Sequence, residues 1–263
     1  MPIFSSKPIK KPLIALVLSG GGSRGFAHLG ALKAFDEAGI RFDLVAGTSV
    51  GSIAGAFLCA GISVPTMMDI AGRIQAKQIH QGIVPNDPMR IGGVVKNYLG
   101  NMRFEDLKTP LYVVAVDLRT GKQVILDKGL LYEAVAASCA VPIFYRPFVM
   151  GELHLADGGL LNNIPADVAR MMGAACVVTV DINAARGGGT DSLSLLPVAK
   201  AALSIMMTNS SESGLINSDI IIAPDLAKFR ATKKDGSDEM IELGYEAAKV
   251  RIAEIKGLTE KRK

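Results

Sequence analysis

Apolar residues fill positions 13–18 without a break, and the chain then turns small and polar through Ser19-Gly20-Gly21-Gly22-Ser23-Arg24-Gly25. An unbroken apolar run of that length predicts a strand buried on both faces, as strands of parallel sheets are. Beyond it Phe26, Leu29, Leu32 and Phe35 recur at three-residue steps, which predicts a helix over 25–38 with Gly39 as its C-terminal cap. A strand over 41–46 and a helix over 50–60 repeat the unit. A β-α-β-α opening predicts a parallel sheet with right-handed crossovers.

The rest of the chain continues the pattern less regularly. Residues 64–105 read as helical, with Met67, Met68, Met89 and Met102 as adaptable core filler. A strand over 111–116 leads into the turn Asp117-Leu118-Arg119-Thr120-Gly121 and a returning strand over 123–126. A helix follows over 130–138. Segments 148–150 and 153–156 flank Gly151-Glu152, a hairpin signal, and the second arm ends at Asp157-Gly158-Gly159. The spacing then predicts a helix over 164–172, with Asn163 as N-cap and Pro165 in its first turn. A buried strand over 175–181, a surface loop at 186–192, a helix over 195–213, a short strand at 219–222 and an amphipathic helix over 238–255 complete the chain. No internal repeat is present, and one α/β domain accounts for the pattern.

Composition narrows the classes. Of 263 residues, 49% are hydrophobic and 21% charged, enough for a substantial core and unlike a disordered chain. Trp is absent and aromatics make up 5%, which argues against a stacking platform for single-stranded nucleic acid. The net charge of +4 resides in the ends: Lys7, Lys10 and Lys11 at one, and Lys256, Lys261, Arg262 and Lys263 against Glu260 at the other, leaving a slightly acidic body. These ends read as a flexible segment over 1–12 and a basic tail over 258–263, solvated rather than bound to anionic lipid. Cys59, Cys139 and Cys176 are odd in number and lie in apolar surroundings, which suits buried thiols in a reducing, cytoplasmic setting. No Cys/His cluster has metal-ligand spacing. The run 13–18 is too short for the apolar core of a signal peptide. Residues 44–68 carry no charge, and Gly47, Gly51 and Gly55 repeat at GxxxG spacing. Thr48, Ser49, Ser52, Ser63, Pro65 and Thr66 dilute that stretch, so it reads as a buried strand, turn and helix rather than a membrane span.

The chemistry concentrates in the βα turns. Gly47-Thr48-Ser49-Val50-Gly51 is Gly-x-Ser-x-Gly where a strand passes directly into a helix, the context of a nucleophile elbow. So tight a turn needs residues without side chains two before and two after the nucleophile, and it projects Ser49 at a helix N-terminus, where negative charge is stabilised. The first turn matches the dinucleotide pattern at Gly20, Gly22 and Gly25. That use requires an acidic residue at the end of the second strand, whereas Asp43 stands at its start. A phosphate-binding Walker loop requires Gly-Lys-Ser/Thr, which is missing. The bare N–H groups beside Ser49 suit an oxyanion hole instead. Arg24 reads equally as a charge on the oxyanion or as a surface salt bridge. For the base, His28, His80 and His154 are the histidines, and His154 is the serious candidate for a triad. Asp157 is better placed, directly after a strand and before two glycines. Asp117 and Asp181 also end strands and stay open here, Asp117 more naturally as a turn residue and Asp181 as a strand cap.

Taken in order, Gly20-Gly21-Gly22-Ser23-Arg24-Gly25, Gly47-Thr48-Ser49-Val50-Gly51 and Asp157-Gly158-Gly159 resemble the three motifs of patatin-like phospholipases. Ala137-Ser138-Cys139-Ala140-Val141-Pro142-Ile143-Phe144 and Asn162-Asn163-Ile164-Pro165 are similar to bacterial members, and the resemblance covers about 13–257. It implies a single three-layer α/β domain with a mainly parallel central sheet. It implies a Ser49–Asp157 dyad without a catalytic histidine, an oxyanion hole from the N–H groups of Gly21 to Arg24 within the 20–25 loop, and neither cofactor nor metal. It also implies a lipid or ester substrate; transient contact with a membrane surface is a further expectation, and the composition already argues against a nucleic-acid partner. The rate of such an enzyme should show no histidine titrating near pH 6.5. Two other classes remain open at this point: a dinucleotide-binding oxidoreductase using the first loop, and a catalytically silent lipid-binding or regulatory protein on the same scaffold.

Overall fold

The computed structural model describes residues 13–78, 87–184, 189–229 and 236–260. The strands are β1 (Leu13–Leu18), β2 (Leu44–Thr48), β3 (Leu111–Asp117), β4 (Lys122–Leu126), β5 (Phe148–Met150), β6 (Leu153–Asp157), β7 (Ala174–Val180) and β8 (Ile220–Ile222). They form one sheet in the order β5-β6-β3-β2-β1-β7-β8, with β4 on β3 outside that path. The pairs around β1, β2, β7 and β8 are parallel, and the β3-β4, β3-β6 and β5-β6 pairs are antiparallel.

Ten helices are described: α1 (Phe26–Glu37), α2 (Val50–Cys59), α3 (Val64–Gln78), α4 (Met89–Leu99), α5 (Leu131–Ser138), α6 (Ala166–Met171), α7 (Leu195–Asn209), α8 (Glu212–Ile216), α9 (Ser237–Lys249) and α10 (Ile252–Glu260). The period of two along β1 sorts them into layers. Ile14, Leu16 and Leu18 face a large core built with α1 to α5 and α9. Ala15 and Val17 face a smaller one built with Ile164, Ala166 and Ala169. Helices thus cover both faces, which is why the strand reads as an unbroken apolar run. Each fully buried Leu here contributes about 1.5–3 kcal/mol.

One feature of the sheet positions the site. Val113 and Val114 pair with β4 on one side and β2 on the other, while Ala115, Val116 and Asp117 pair with β4 and β6. A strand has two edges, so β2 and β6 share one edge of β3. They approach along it from opposite directions. β2 ends with Thr48 opposite Val114, and β6 ends with Asp157 opposite Ala115.

Several boundaries differ from the sequence reading, for local reasons. β2 starts at Leu44, because the Asp43 carboxylate accepts the Ile14 N–H (2.7 Å) and clasps the start of β1. A 3-10 turn at Gly22–Gly25 precedes α1. Residues 44–68 divide among β2, α2 and the start of α3, and no described helix is long and apolar enough to cross a membrane. The described part of 64–105 contains α3, α4 and the start of a 3-10 turn at Phe104–Asp106, and the reading of 79–86 lies outside the described residues. Asn163 is not an N-cap: α6 begins at Ala166, with Pro165 in the cap position. The helix expected over 195–213 breaks between α7 and α8, where the Ser210 hydroxyl lies 2.7 Å from the Gly159 carbonyl and 3.0 Å from the Met207 carbonyl of the last turn, the local contact competing with helical pairing. The closing helix breaks between Lys249 and Ile252, and α10 runs on to Glu260. The readings of 1–12, His80, 186–188 and 261–263 lie outside the described residues.

Candidate active site

The elbow is built from its glycines. A Cβ on Gly47 would lie 2.8 Å from the Gly51 carbonyl, and one on Gly51 would overlap the Leu18 carbonyl of β1. The space between β1, β2 and α2 therefore admits no side chain at either position. Ser49 between them has φ 53° and ψ −125°, a region that L-residues rarely enter. Such strain costs on the order of 1–3 kcal/mol and persists only where the surroundings overdetermine it. They do so here. The Ser49 N–H donates to Ser138 Oγ (2.8 Å), which itself donates to the Val114 carbonyl (2.7 Å). Ser52 Oγ donates to the Ser49 carbonyl (2.6 Å), and Thr48 Oγ1 donates to the Asn162 carbonyl (2.9 Å). Val50 packs where any side chain on Gly25 would have to go. Ser49 is 6% exposed.

Asp157 is fully buried at the end of β6. Its N–H donates to the Ala140 carbonyl (3.0 Å), and its Oδ1 accepts the Gly159 N–H (2.8 Å). Gly158 lies directly on the Val114 carbonyl, where a Cβ would collide. The carbonyl that receives the Ser138 hydroxyl is thus also the one under the turn after Asp157, so nucleophile and base share a seat on β3. The Cys139 thiol is close by; burial, reinforced by the charge of Asp157, pushes its titration up.

The first glycine loop lies beside Ser49: a Cβ on Gly20 would be 3.2 Å from Ser49 Cβ. Its donors are fewer than the motif suggests. The Gly20 N–H is committed to the Asn163 carbonyl (3.1 Å) and the Arg24 N–H to the Gly21 carbonyl (3.4 Å). The N–H groups of Gly21 and Gly22 have no partner among the described residues. Ser23 and Gly25 complete the turn. Arg24 is neither a charge on the oxyanion nor a surface ion pair. Its buried guanidinium donates to the Phe229 carbonyl through Nε (2.8 Å) and Nη2 (2.6 Å), and to Asn183 Oδ1 (3.4 Å). Burial lowers its titration, against the charge of Asp181. The side chain ties the loop to a distant segment.

The remaining candidates lie elsewhere. His28 is buried with Nε2 on the Ser19 carbonyl (2.9 Å), and burial holds it neutral down to about 4. His154 is exposed on β6, three residues before Asp157 and therefore on the opposite face of the strand. Asp117 organises its turn, accepting from Thr120 Oγ1 (2.8 Å) and the His154 N–H (3.1 Å); Thr120 leads the lowering of its titration. Asp181 caps the end of β7 through the Asn183 N–H (2.9 Å), and burial raises its titration. The structure gives roles to residues that stood in the sequence only as part of the family resemblance, Asn163 also as an expected N-cap. Ser138 braces the elbow. Asn162 and Asn163 follow the Asp157 turn, and their carbonyls hold Thr48 and Gly20. Two adjacent amides just after Asp157-Gly158-Gly159 were the available signal.

A family model described as patatin-like phospholipase matches residues 16–170. The chain is 37% identical over 161 residues to an uncharacterized NTE family protein of Mycobacterium tuberculosis, an alignment covering 59% of this chain and 28% of the relative. It is 36% identical over 183 residues to patatin-like phospholipase domain-containing protein 6 of Homo sapiens, covering 64% of this chain and 13% of that one. The chain thus spans less than a third of the length of these curated relatives. Among solved structures, VipD from Legionella pneumophila matches with a TM-score of 0.57 at 14% identity, over 96% of this chain and 72% of that one. The type III effector protein ExoU matches with a TM-score of 0.52 at 11% identity, over 93% and 53%. At such identities the two structures establish the shared α/β fold.

Proposed function

Because the chain belongs to the patatin-like phospholipase family, we propose that it is a serine acyl hydrolase of lipid carboxylic esters, with Ser49 as nucleophile and Asp157 as base. The observation that carries this reading is the convergence of β2 and β6 on one edge of β3, which brings a strained serine and a buried carboxylate to adjoining positions. Asp157 takes the proton from Ser49 Oγ as that oxygen bonds to the ester carbonyl carbon. The N–H groups of Gly21 and Gly22 receive the tetrahedral oxyanion, and each such donor is worth about 2.7–4 kcal/mol of transition-state stabilisation. The proton passes to the leaving alcohol, and water then releases the acid from Ser49 by the reverse sequence.

The same reading includes transient contact with a lipid surface. α7 packs Met207 against Gly159, next to Asp157, and turns Leu195, Val198, Ala202, Ile205 and Met206 outward on another face. Between Asp191 and Glu212 the sole charged residue is Lys200. An exposed helix so poor in charge, leading to a site for lipid esters, suits insertion among acyl chains. Three buried cysteines, odd in number, suit the cytoplasmic side.

The test is intact mass after incubation with a fluorophosphonate, for the wild type and Ser49→Ala. One adduct, lost in the variant, establishes an activated Ser49. A folded wild type that takes no adduct refutes the hydrolase reading.

A further inference from the structure

Asn163 is fully buried, and its two ends point to different places. Nδ2 donates to Ser211 Oγ (3.2 Å), and that hydroxyl directs its single proton to the Met207 carbonyl (3.4 Å). Ser211 therefore offers the amide an acceptor only, which turns Asn163 Oδ1 the other way. Oδ1 has no hydrogen-bond partner among the described residues. A methyl built on Gly20 would lie 2.5 Å from this oxygen and 3.2 Å from Ser49 Cβ. One built on Gly159 would lie 3.1 Å from it and 3.0 Å from Asp157 Oδ1. The oxygen thus shares one neighbourhood with the serine and the carboxylate, and glycine at both positions leaves it room. The backbone of the same residue fixes it there, through its carbonyl on the Gly20 N–H.

We infer that Asn163 is a positioning residue for the dyad, its carboxamide oxygen accepting a hydrogen bond from the carboxylic acid that Asp157 becomes during acyl transfer. The inference rests on the reading of Ser49 and Asp157 given above. A buried acceptor without a donor costs stability. Beside an ionised carboxylate it has nothing to receive. Once the Ser49 Oγ–H bond breaks and the proton moves to Asp157, the carboxyl becomes a donor, and the oxygen gains its partner while the Oγ–acyl bond forms. Asn163 takes no proton itself; the proton continues to the leaving alcohol. An interaction made only after proton transfer lowers the barrier without strengthening ground-state binding. It also answers a weakness of such a dyad, since a carboxylate is a poor base for a serine hydroxyl, and a hydrogen bond to its protonated form raises its basicity.

Few ionisable groups compete for this role. α5 brings the Cys139 thiol toward Asp157. β3 brings Asp117, engaged by Thr120 and the His154 N–H. His154 of β6 is on the other face of its strand. α7 brings Lys200, which rests over the Phe144 ring. α2 brings Cys59, at its far end. Asp181, at the end of β7, is engaged by the Asn183 N–H and by the charge of Arg24.

The experiment measures the rate of fluorophosphonate labelling against pH for the wild type, Asn163→Leu and Asn163→Asp, with circular dichroism on each sample. Asn163→Leu keeps the bulk and removes the acceptor. Its plateau should fall about tenfold, part of the ~10²–10⁴-fold that a positioned base supplies. Its acid limb should move down by about one pH unit, as the protonated carboxyl loses its partner. Asn163→Asp keeps an acceptor and adds a like charge, so its acid limb should move up. A structural role alone would not move the two limbs in opposite directions. Unshifted limbs in both variants overturn the inference, as does an upward shift in Asn163→Leu, which would mean that the amide donates to the carboxylate. If Asn163→Leu fails to fold, Asn163→Asp decides by the presence or absence of its upward shift. A folded wild type that takes no label refutes the Ser49–Asp157 reading itself, a result distinct from any change among the Asn163 variants.

Discussion

Thr48 and Asp157 stand opposite neighbouring residues, Val114 and Ala115, on one edge of β3, although they come from strands far apart in the chain. The elbow serine follows Thr48 directly, so the meeting of the two strand ends sets the separation of nucleophile and base. Asp157→Asn keeps an oxygen for the Gly159 N–H and cannot take up the serine proton. Turnover of a lipid ester should fall by about 10²–10⁴-fold, the contribution of a positioned base, with little change in melting temperature. Initial rates and a thermal melt on the same sample check both halves.

The strain at Ser49 has a measurable counterpart. With φ 53° and ψ −125°, glycine fits the elbow better than serine. Ser49→Gly should abolish activity and stabilise the fold by about 1 kcal/mol, because the relief of strain exceeds the extra chain entropy that glycine loses. For a chain of this size that is a rise of about 2–4 °C in melting temperature. Ser49→Ala, which keeps the Cβ, should show the loss of activity without the rise.

Ser138 braces the elbow from α5, and its removal would leave the Ser49 N–H in a buried place without an acceptor. Such an orphan costs about 1–3 kcal/mol. Ser138→Ala should lower stability by that amount and also slow labelling of Ser49, since the elbow would be free to relax. Ser138→Thr restores the hydroxyl and should recover most of both. Denaturant titration paired with labelling kinetics separates the two effects; an unchanged labelling rate in Ser138→Ala would make the brace purely structural.

Much of this arrangement is legible in the pattern of residues. The run 13–18, the three-residue rhythm from Phe26 and the glycines around Ser49 reflect local physics, namely burial on two faces, helical spacing and a turn too tight for side chains. Those features reach the strands and the elbow to within a few residues. What the pattern leaves hidden depends on partners distant in sequence. The donor count of the first glycine loop is set by the Asn163 carbonyl, and the fate of the Arg24 guanidinium by the Phe229 carbonyl. Asn163 looks like a helix cap because an Asn directly before an apolar run with Pro in its first turn usually is one. Its buried position between two glycine turns follows from the packing of α7 on Gly159, which no local rule anticipates.

His28 makes stability depend on pH in a defined window. Burial lowers its titration from 6.5 to about 4, so the folded chain keeps it neutral where the unfolded chain protonates it. The unfolded state then binds more protons between these values, and stability falls as pH drops from 6.5 to about 4, with no further loss from this group below that. The full effect is about 3 kcal/mol. His28→Gln can keep the donor to the Ser19 carbonyl and should flatten this part of the profile, as urea titrations from pH 4.5 to 7.5 would show. Activity should carry no histidine signature near pH 6.5, and His154→Ala should leave the rate profile unchanged.

The outward face of α7 distinguishes lipid-surface activity from chemistry. Leu195 and Ile205 are 87% and 46% exposed and help no core, so Leu195→Glu and Ile205→Glu should change stability by no more than about 0.5 kcal/mol. Inserting each side chain among acyl chains is worth about 1.5–3 kcal/mol. Each substitution should therefore lower the rate on phospholipid vesicles by about tenfold or more and weaken co-sedimentation with them. The rate on a short, water-soluble ester should stay at the wild-type value, because the substitutions lie on the face of α7 turned away from Gly159. An equal loss on both substrates would mean that α7 shapes the acyl site itself, and the lipid-surface role of this face would then fall.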